Sequence, residues 1–239
     1  MNKWFFSPGR KIETELKYPS SGERARLWNV ALARRKRGAQ ASGGYFNSVS
    51  IFRPGEKNHL FTPEFRKTLG GYDSIEVLRQ YYDRADTDDL LSRIQYVDIK
   101  TYLTDDILAK VDRASMAVSR EVRAPLLDHP LMETVASIPS SLKLSGRTGK
   151  YIFKKAMAPL LDADIIERSK QGFAIPLDRW FRRELHDLTY EALFSQDDGI
   201  LDRTFLKKIW DQHQKGQYNR SAHLWSVLMF RKWKETFRA

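Results

Sequence analysis

From Thr62 to the C-terminus, apolar residues recur at intervals of three and four, and period-two alternation is scarce. A mainly helical chain is predicted. Thr62-Pro63-Glu64-Phe65 reads as an N-cap followed by proline at the first helical position. A second helix is predicted over Leu90 to Tyr102. In the centre, Leu108, Val111, Ser115, Val118 and Val122 make one helical face, while Asp106, Lys110 and Arg113 fall on another. Asp106 and Lys110 stand four residues apart, the interval at which opposite charges pair along a helix. Pro125 disfavours helical geometry at Ala124, so the helix is expected to end there, with Leu126 and Leu127 packing inward.

Asp128-His129-Pro130 opens the next predicted helix, with Leu131, Val135 and Ile138 as its buried stripe and Pro139 as its stop. A loop rich in Ser, Gly and Lys follows, and Gly149-Lys150 opens a helix to about Leu160. Arg168 to Pro176, which contains Gly172, reads as a loop. Three amphipathic helices are predicted beyond it, over Pro176–Glu191, Asp202–Gln214 and Ser221–Phe237. The apolar stripe of the last, Leu224, Trp225, Leu228, Met229, Trp233 and Phe237, reads as core. Residues 1–60 are expected to form a peripheral basic segment of loops and a short helix around Arg24 to Arg37, and 61–239 the helical body.

Composition narrows the functional classes. The 239 residues are 41% hydrophobic and 30% charged, an ordinary globular balance. No apolar run is long enough to span a membrane, and Met1 to Arg10 has no signal-peptide core. Without cysteine the chain has no disulfide, no Cys-ligated metal and no cysteine nucleophile, and a reducing cytoplasm is the expected compartment. The net charge of +11 raises the question of nucleic acid. Residues 1–40 carry ten basic and three acidic side chains, against 31 and 27 in the remainder. The surplus is local, and a run such as Arg34-Arg35-Lys36-Arg37 is more often a solvated helix face than a binding arm.

Several chemistries find no support. Ser42-Gly43-Gly44 follows Arg-Gly-Ala-Gln-Ala, which could not form the buried strand that a phosphate loop needs. The five histidines lack zinc spacing, and the strained turn of serine hydrolases is missing. Asp105-Asp106 fits a charged helix start as well as acid–base work. The cations remain. Lys170, between Arg168 and Gly172, could hold phosphate oxygens as a movable point charge or be a surface lysine. Arg123 is open between a structural ion pair and an anion contact.

The run from Asp106 to His129 resembles the signature segment of asparagine synthetase synthase domains, D-x-L-x-K-x-D-R-x-S-M-A-x-S-x-E-x-R-x-P-[FL]-L-D. Further matches are in register: Pro139 with Leu142-Lys143, Gly149-Lys150 with Lys154-Lys155, Arg168-Ser-Lys170-Gln-Gly-Phe173, and Pro176-Leu-x-x-Trp180. Together they cover about residues 90–235. The combination is most similar to bacterial amidotransferases of this family found with exopolysaccharide gene clusters.

The resemblance implies the helical C-terminal half of a PP-loop α/β synthase domain, with most of the parallel sheet absent. It implies adenylation of a carboxylate by ATP with magnesium, loss of pyrophosphate, and attack by glutamine-derived ammonia to give an amide. The family's loop lysine maps onto Lys170, expected to hold pyrophosphate in the adenylation step. Lys110, Asp112 and Arg113 match positions near the substrate pocket, and Arg123 and Asp128 match positions that fix the turn between two helices. The family's S-G-G-x-D-S loop, its S-G-x-G-x-D-E segment and its glutaminase cysteine have no counterpart here. The expectation is therefore a truncated product, a split-gene piece or a partner-dependent subunit, inactive and without tight ATP binding alone. Its expected partners are the missing synthase and glutaminase segment and a carboxylate such as aspartate. A non-catalytic partner-binding helical module and a basic nucleic-acid-binding protein are the alternatives.

Overall fold

The computed structural model describes residues 38–168 and 175–237. In chain order these form α1 (Gly38–Val49), α2 (Pro54–Leu60), α3 (Pro63–Thr68), α4 (Ile75–Arg84) and α5 (Leu90–Asp98). A π-helix over Ile99–Leu108 and then α6 (Ala109–Met116) continue from α5. A 3-10 turn (Pro125–Leu127), α7 (His129–Ser137), α8 (Ser140–Lys143), the strands β1 (Leu144–Ser145) and β2 (Thr148–Gly149), α9 (Tyr151–Met157) and α10 (Ala163–Glu167) follow. The last elements are α11 (Leu177–Trp180), α12 (His186–Phe194), α13 (Arg203–Gln214) and α14 (Ser221–Thr236). The mainly helical class expected from the periodicity is what the described residues adopt.

Local chemistry explains the starts. The Thr62 hydroxyl accepts from the Phe65 N–H at 3.2 Å, Asp89 from Ser92 N–H at 2.8 Å and Asp202 from Phe205 N–H at 2.7 Å. Each satisfies a donor that the first helical turn would leave orphaned.

Two compact units result. The first contains residues 46–73 and 175–237. Its core joins Leu60 to Leu177, Phe181, Leu193, Leu206, Ile209, Leu224 and Leu228. Each such side chain contributes about 2 kcal/mol of apolar burial. Thr62 N–H to Ile200 carbonyl at 3.0 Å and Asp202 N–H to Leu60 carbonyl at 2.8 Å stitch the two stretches together. Arg220 donates to the Glu56 carboxylate at 3.2 Å, and Arg231 and Lys234 converge on Asp198.

The second unit contains residues 38–45 and 74–168. Its core is small: Tyr82, Ile94 and Val97, with Tyr45, Leu78, Tyr81 and Leu90 against them. The Tyr45 hydroxyl donates to the Asp98 carboxylate. Ser42-Gly43-Gly44 lies inside α1 and forms no loop. β1 and β2 make an antiparallel hairpin, Leu144 opposite Gly149, where the sequence suggested only a loop. Gly146, at the first position of its two-residue turn, has φ +56°, a conformation glycine takes without strain.

Several expectations fail here for physical reasons. The signature helix stops at Met116, eight residues before Ala124. Ser119 turns left-handed at φ 54°, and the N–H groups of Ser119 and Arg120 return to the carbonyls of Met116 and Ser115, closing a Schellman-type end. The helix expected over Leu90 to Tyr102 gives way to π geometry at Ile99. Leu126 does not pack inward; it is 60% exposed, and Val118, Val122, Leu131 and Val135 are exposed too. The core of this unit lies around Ile94 and does not extend over them. The helix expected over Pro176–Glu191 is two short helices separated by a turn. In α14, Leu224 and Leu228 are core, but Trp233 is exposed, as is Phe237 just past its end.

Candidate functional site

The signature segment begins inside a continuous helical stretch, π from Ile99 to Leu108 and α from Ala109 to Met116, and then runs without helix to the 3-10 turn at Pro125. A ten-residue π stretch is rare, and π geometry concentrates at functional sites. Lys110 pairs with Asp106 at 2.9 Å, the i,i+4 partnership expected from the sequence. At 100° per residue, Arg113 stands about 60° from Lys110 around α6, whereas Asp112 stands about 160° away. Lys110 and Arg113 can therefore meet one anion together, and Asp112 faces elsewhere. All three are exposed.

Arg123 donates through Nε to the Glu121 carboxylate at 2.7 Å, both side chains in solvent. Asp128 immediately precedes α7, and its side chain makes no capping hydrogen bond. Its backbone carbonyl accepts from Met132 N–H at 2.9 Å. No hydrogen bond or ion pair joins any two of Lys110, Asp112, Arg113, Arg123 and Asp128.

Lys170 lies outside the described residues. The chain on its N-terminal side ends in α10, where Glu167 accepts from Lys154 at 3.2 Å. On its C-terminal side the chain passes through Ile175 and Pro176 into α11, and a dense polar cluster holds that short helix. Arg182 grips Asp178 with two bonds of 2.8 Å and donates through Nε to the His213 carbonyl, also at 2.8 Å. Gln214 donates to the Phe181 carbonyl at 2.9 Å. The His213 ring is fully buried. Its Nε2 lies 3.2 Å from the Asp178 carbonyl, and its Nδ1 accepts from Arg220 N–H at 3.2 Å. These partners assign the neutral imidazole with the proton on Nε2. Burial, reinforced by the Arg182 charge and opposed by Asp178, lowers the His213 pKa to about 4.

The sequence reading missed this cluster. His213 has no metal-ligand spacing; the signal available in the sequence is the Asp178–Arg182 interval of four. Lys143, part of the Leu142-Lys143 motif match, had no role assigned from the sequence. It is buried, donates to the Ala136 carbonyl at 3.2 Å, and has its pKa lowered by burial against the opposing pull of Asp89. A shallow cavity of about 350 Å³ in the first unit is lined by His59, Arg66, Asp202 and Lys208, and Lys110, Asp112, Arg113, Arg123 and Asp128 are not among its lining residues.

No group of three or more His, Asp or Glu side chains capable of holding a metal occurs among the described residues. No helix among the described residues is long and apolar enough to cross a membrane.

Comparison with known proteins supplies the family. The asparagine synthase family model matches residues 9–235, extending the likeness well beyond the signature segment. Asparagine synthetase [glutamine-hydrolyzing] 1 of Bacillus subtilis is 28% identical over 190 residues, 79% of this chain and 29% of that protein. A putative asparagine synthetase [glutamine-hydrolyzing] of Mycobacterium bovis is 31% identical over 180 residues, 73% of this chain and 28% of its own length. Amidase chyE of Penicillium rubens is 33% identical over 103 residues, 40% of this chain and 15% of that protein. The chain thus spans less than a third of the length of these relatives. No solved structure matches it. With the family model covering nearly the whole sequence, the chain belongs to the asparagine synthase family.

Proposed function

We propose that the chain acts within an ATP- and glutamine-dependent amidotransferase, contributing cations to carboxylate adenylation. The reaction joins a carboxylate oxygen to the α-phosphate of ATP with departure of pyrophosphate. Ammonia released from glutamine then displaces AMP to leave an amide. The observation that carries this reading is that the signature segment and the Arg168–Phe173 motif both fall inside the matched residues 9–235. Negative charge builds on the departing pyrophosphate, and a positioned ammonium lowers that barrier. Lys170 is assigned this role, with Lys110 and Arg113 as the α6 pair that can address an anion together. Arg123 and Asp128 are assigned to the turn that joins α6 to α7.

The described residues offer no enclosed nucleotide cradle from the candidate side chains, so most of the nucleotide contact is assigned to polypeptide corresponding to the unmatched part of the relatives. Magnesium would be carried chiefly on the triphosphate oxygens. The exposed apolar residues from Leu108 to Ile165 favour docking of a partner, and that same polypeptide is the partner assigned. The working compartment is the cytoplasm.

The test is ATP–pyrophosphate exchange after co-expression with a polypeptide supplying the unmatched part, across a panel of carboxylic amino acids. Exchange that requires both chains, and that falls at least about 100-fold in turnover with Lys170→Ala while the fold is kept, is expected. Undiminished exchange by the Lys170→Ala protein would sink the assignment.

A further inference from the structure

We propose that the cavity of the first unit binds a small phosphate monoester that carries a flat ring. This is independent of the adenylation role proposed above and uses none of its residues. The cavity opens where two stretches of that unit meet. Phe61 bridges to Leu201 in antiparallel fashion, and the Thr62–Ile200 and Leu60–Asp202 backbone bonds flank the bridge. The frame is thus hydrogen-bonded main chain, already in place before a ligand arrives, which lowers the ordering cost of binding. At about 350 Å³ the space stands at the small end of ligand pockets.

Its charges are unequal. Arg66 from α3 and Lys208 from α13 both line the space, and among the described residues neither has a hydrogen bond or an ion pair. The adjoining Lys207, by contrast, is held by Asp211 at 2.6 Å. The one carboxylate in the lining is Asp202, and it accepts from Phe205 N–H at 2.7 Å as the cap of α13. That carboxylate already answers the positive end of the helix, so the attraction for an anion comes from the side chains. A guanidinium offers a planar fork and an ammonium a movable point charge. The Asn58 amide and the Thr204 hydroxyl add neutral donors to the same lining. Such a donor set suits the three terminal oxygens of a phosphate monoester better than the two of a carboxylate.

The rest of the wall selects what the phosphate carries. His59, Phe61 and Phe205 line it, and the His59 and Phe205 rings lie nearly parallel, at 21°, with centroids 6.2 Å apart. A flat ring stacks on such a surface and buries apolar area that a bare phosphate lacks. Each half of the site restrains the other. Cations alone would take any anion, and an aromatic wall alone would take any ring.

Calorimetric titration of the whole chain with phenyl phosphate tests this. Saturable binding at millimolar concentration or below is expected. Arg66→Gln and Lys208→Gln should each weaken it at least about tenfold, because each removes a charged hydrogen-bond donor. Both side chains are exposed, so the thermal midpoint should hold. Lys67→Gln removes a charge from the same helix but not from the cavity lining, and should leave binding unchanged. Inorganic phosphate and benzoate, which each lack one half of the ligand, should bind at least about tenfold more weakly than phenyl phosphate. No saturable binding of phenyl phosphate, or an equal loss in Lys67→Gln, would overturn the proposal. So would inorganic phosphate or benzoate binding as tightly as phenyl phosphate. A lowered midpoint in both charge variants would show these cations committed to the fold, and would overturn it as well.

Discussion

Arg182 grips Asp178, one helical turn away, through both carboxylate oxygens, each at 2.8 Å. The same guanidinium spends its third nitrogen on the His213 carbonyl. A planar fork can do all three at once, whereas an ammonium is a single point charge. Arg182→Lys should therefore keep the charge and lose the bridge, costing about 1 to 2 kcal/mol. In a chain of this size that corresponds to roughly 3 to 6 °C in thermal midpoint. A midpoint within a degree of wild type would show that the pair is only a surface contact.

Acid should weaken the first unit in two stages. His213 is lowered from 6.5 to about 4 by burial and the Arg182 charge, so between those values the unfolded chain takes up a proton that the folded chain refuses. The His213 contribution is complete above pH 6.5 and declines as the pH falls to about 4, by up to about 3 kcal/mol. Glu56 is lowered from 4.5 to about 2: burial opposes, but the His223 and Arg53 N–H contacts and the Arg220 charge prevail. Its contribution is complete above pH 4.5 and is lost toward pH 2. Urea unfolding at pH 7.5, 5.5 and 4 measures the first stage, and His213→Gln should flatten it. Equal slopes for both proteins would refute the attribution.

Thr62 is a junction as well as a cap. Its hydroxyl accepts from Phe65 N–H and donates to the Gly199 carbonyl at 2.5 Å, beside the backbone bonds that join residues 60–62 to 200–202. Thr62→Ala should cost about 1 kcal/mol, and Thr62→Ser much less, because serine keeps the oxygen. Chemical denaturation of the two variants side by side decides it; equal losses would point to the methyl group instead.

What the sequence made legible was local. Thr62-Pro63, Asp202 before α13, the boundaries of α14 and the Asp106–Lys110 pair all rest on contacts within one turn, and the structure keeps them. The end of α6 was not legible, because Ser119 takes a left-handed conformation usually signalled by glycine. Periodicity in Val118, Val122, Leu131 and Val135 says that apolar residues recur, and says nothing of what covers them. For the site, a motif comparison could quote Lys110 and Arg113 but not that they share a face which Asp112 leaves. His213 was invisible for another reason: its role depends on Asp178, 35 residues away, which no spacing rule connects.

Apolar side chains in the two units should therefore respond differently to substitution. Leu224 is fully buried in the first core, and Leu224→Ala removes its burial and leaves a cavity, at a cost of about 3 kcal/mol. Val118 is 66% exposed, and Val118→Ser should change the stability of this chain by less than about 0.5 kcal/mol. Under the docking assignment, the same Val118→Ser substitution should weaken association with the co-expressed partner, most clearly when combined with Val122→Ser and Leu126→Ser. Denaturation of the chain alone and pull-down of the partner by the triple variant measure the two effects independently. Strong destabilisation of the isolated chain by Val118→Ser would mean that this surface is covered from within, and undiminished capture of the partner by the triple variant would move the docking face elsewhere.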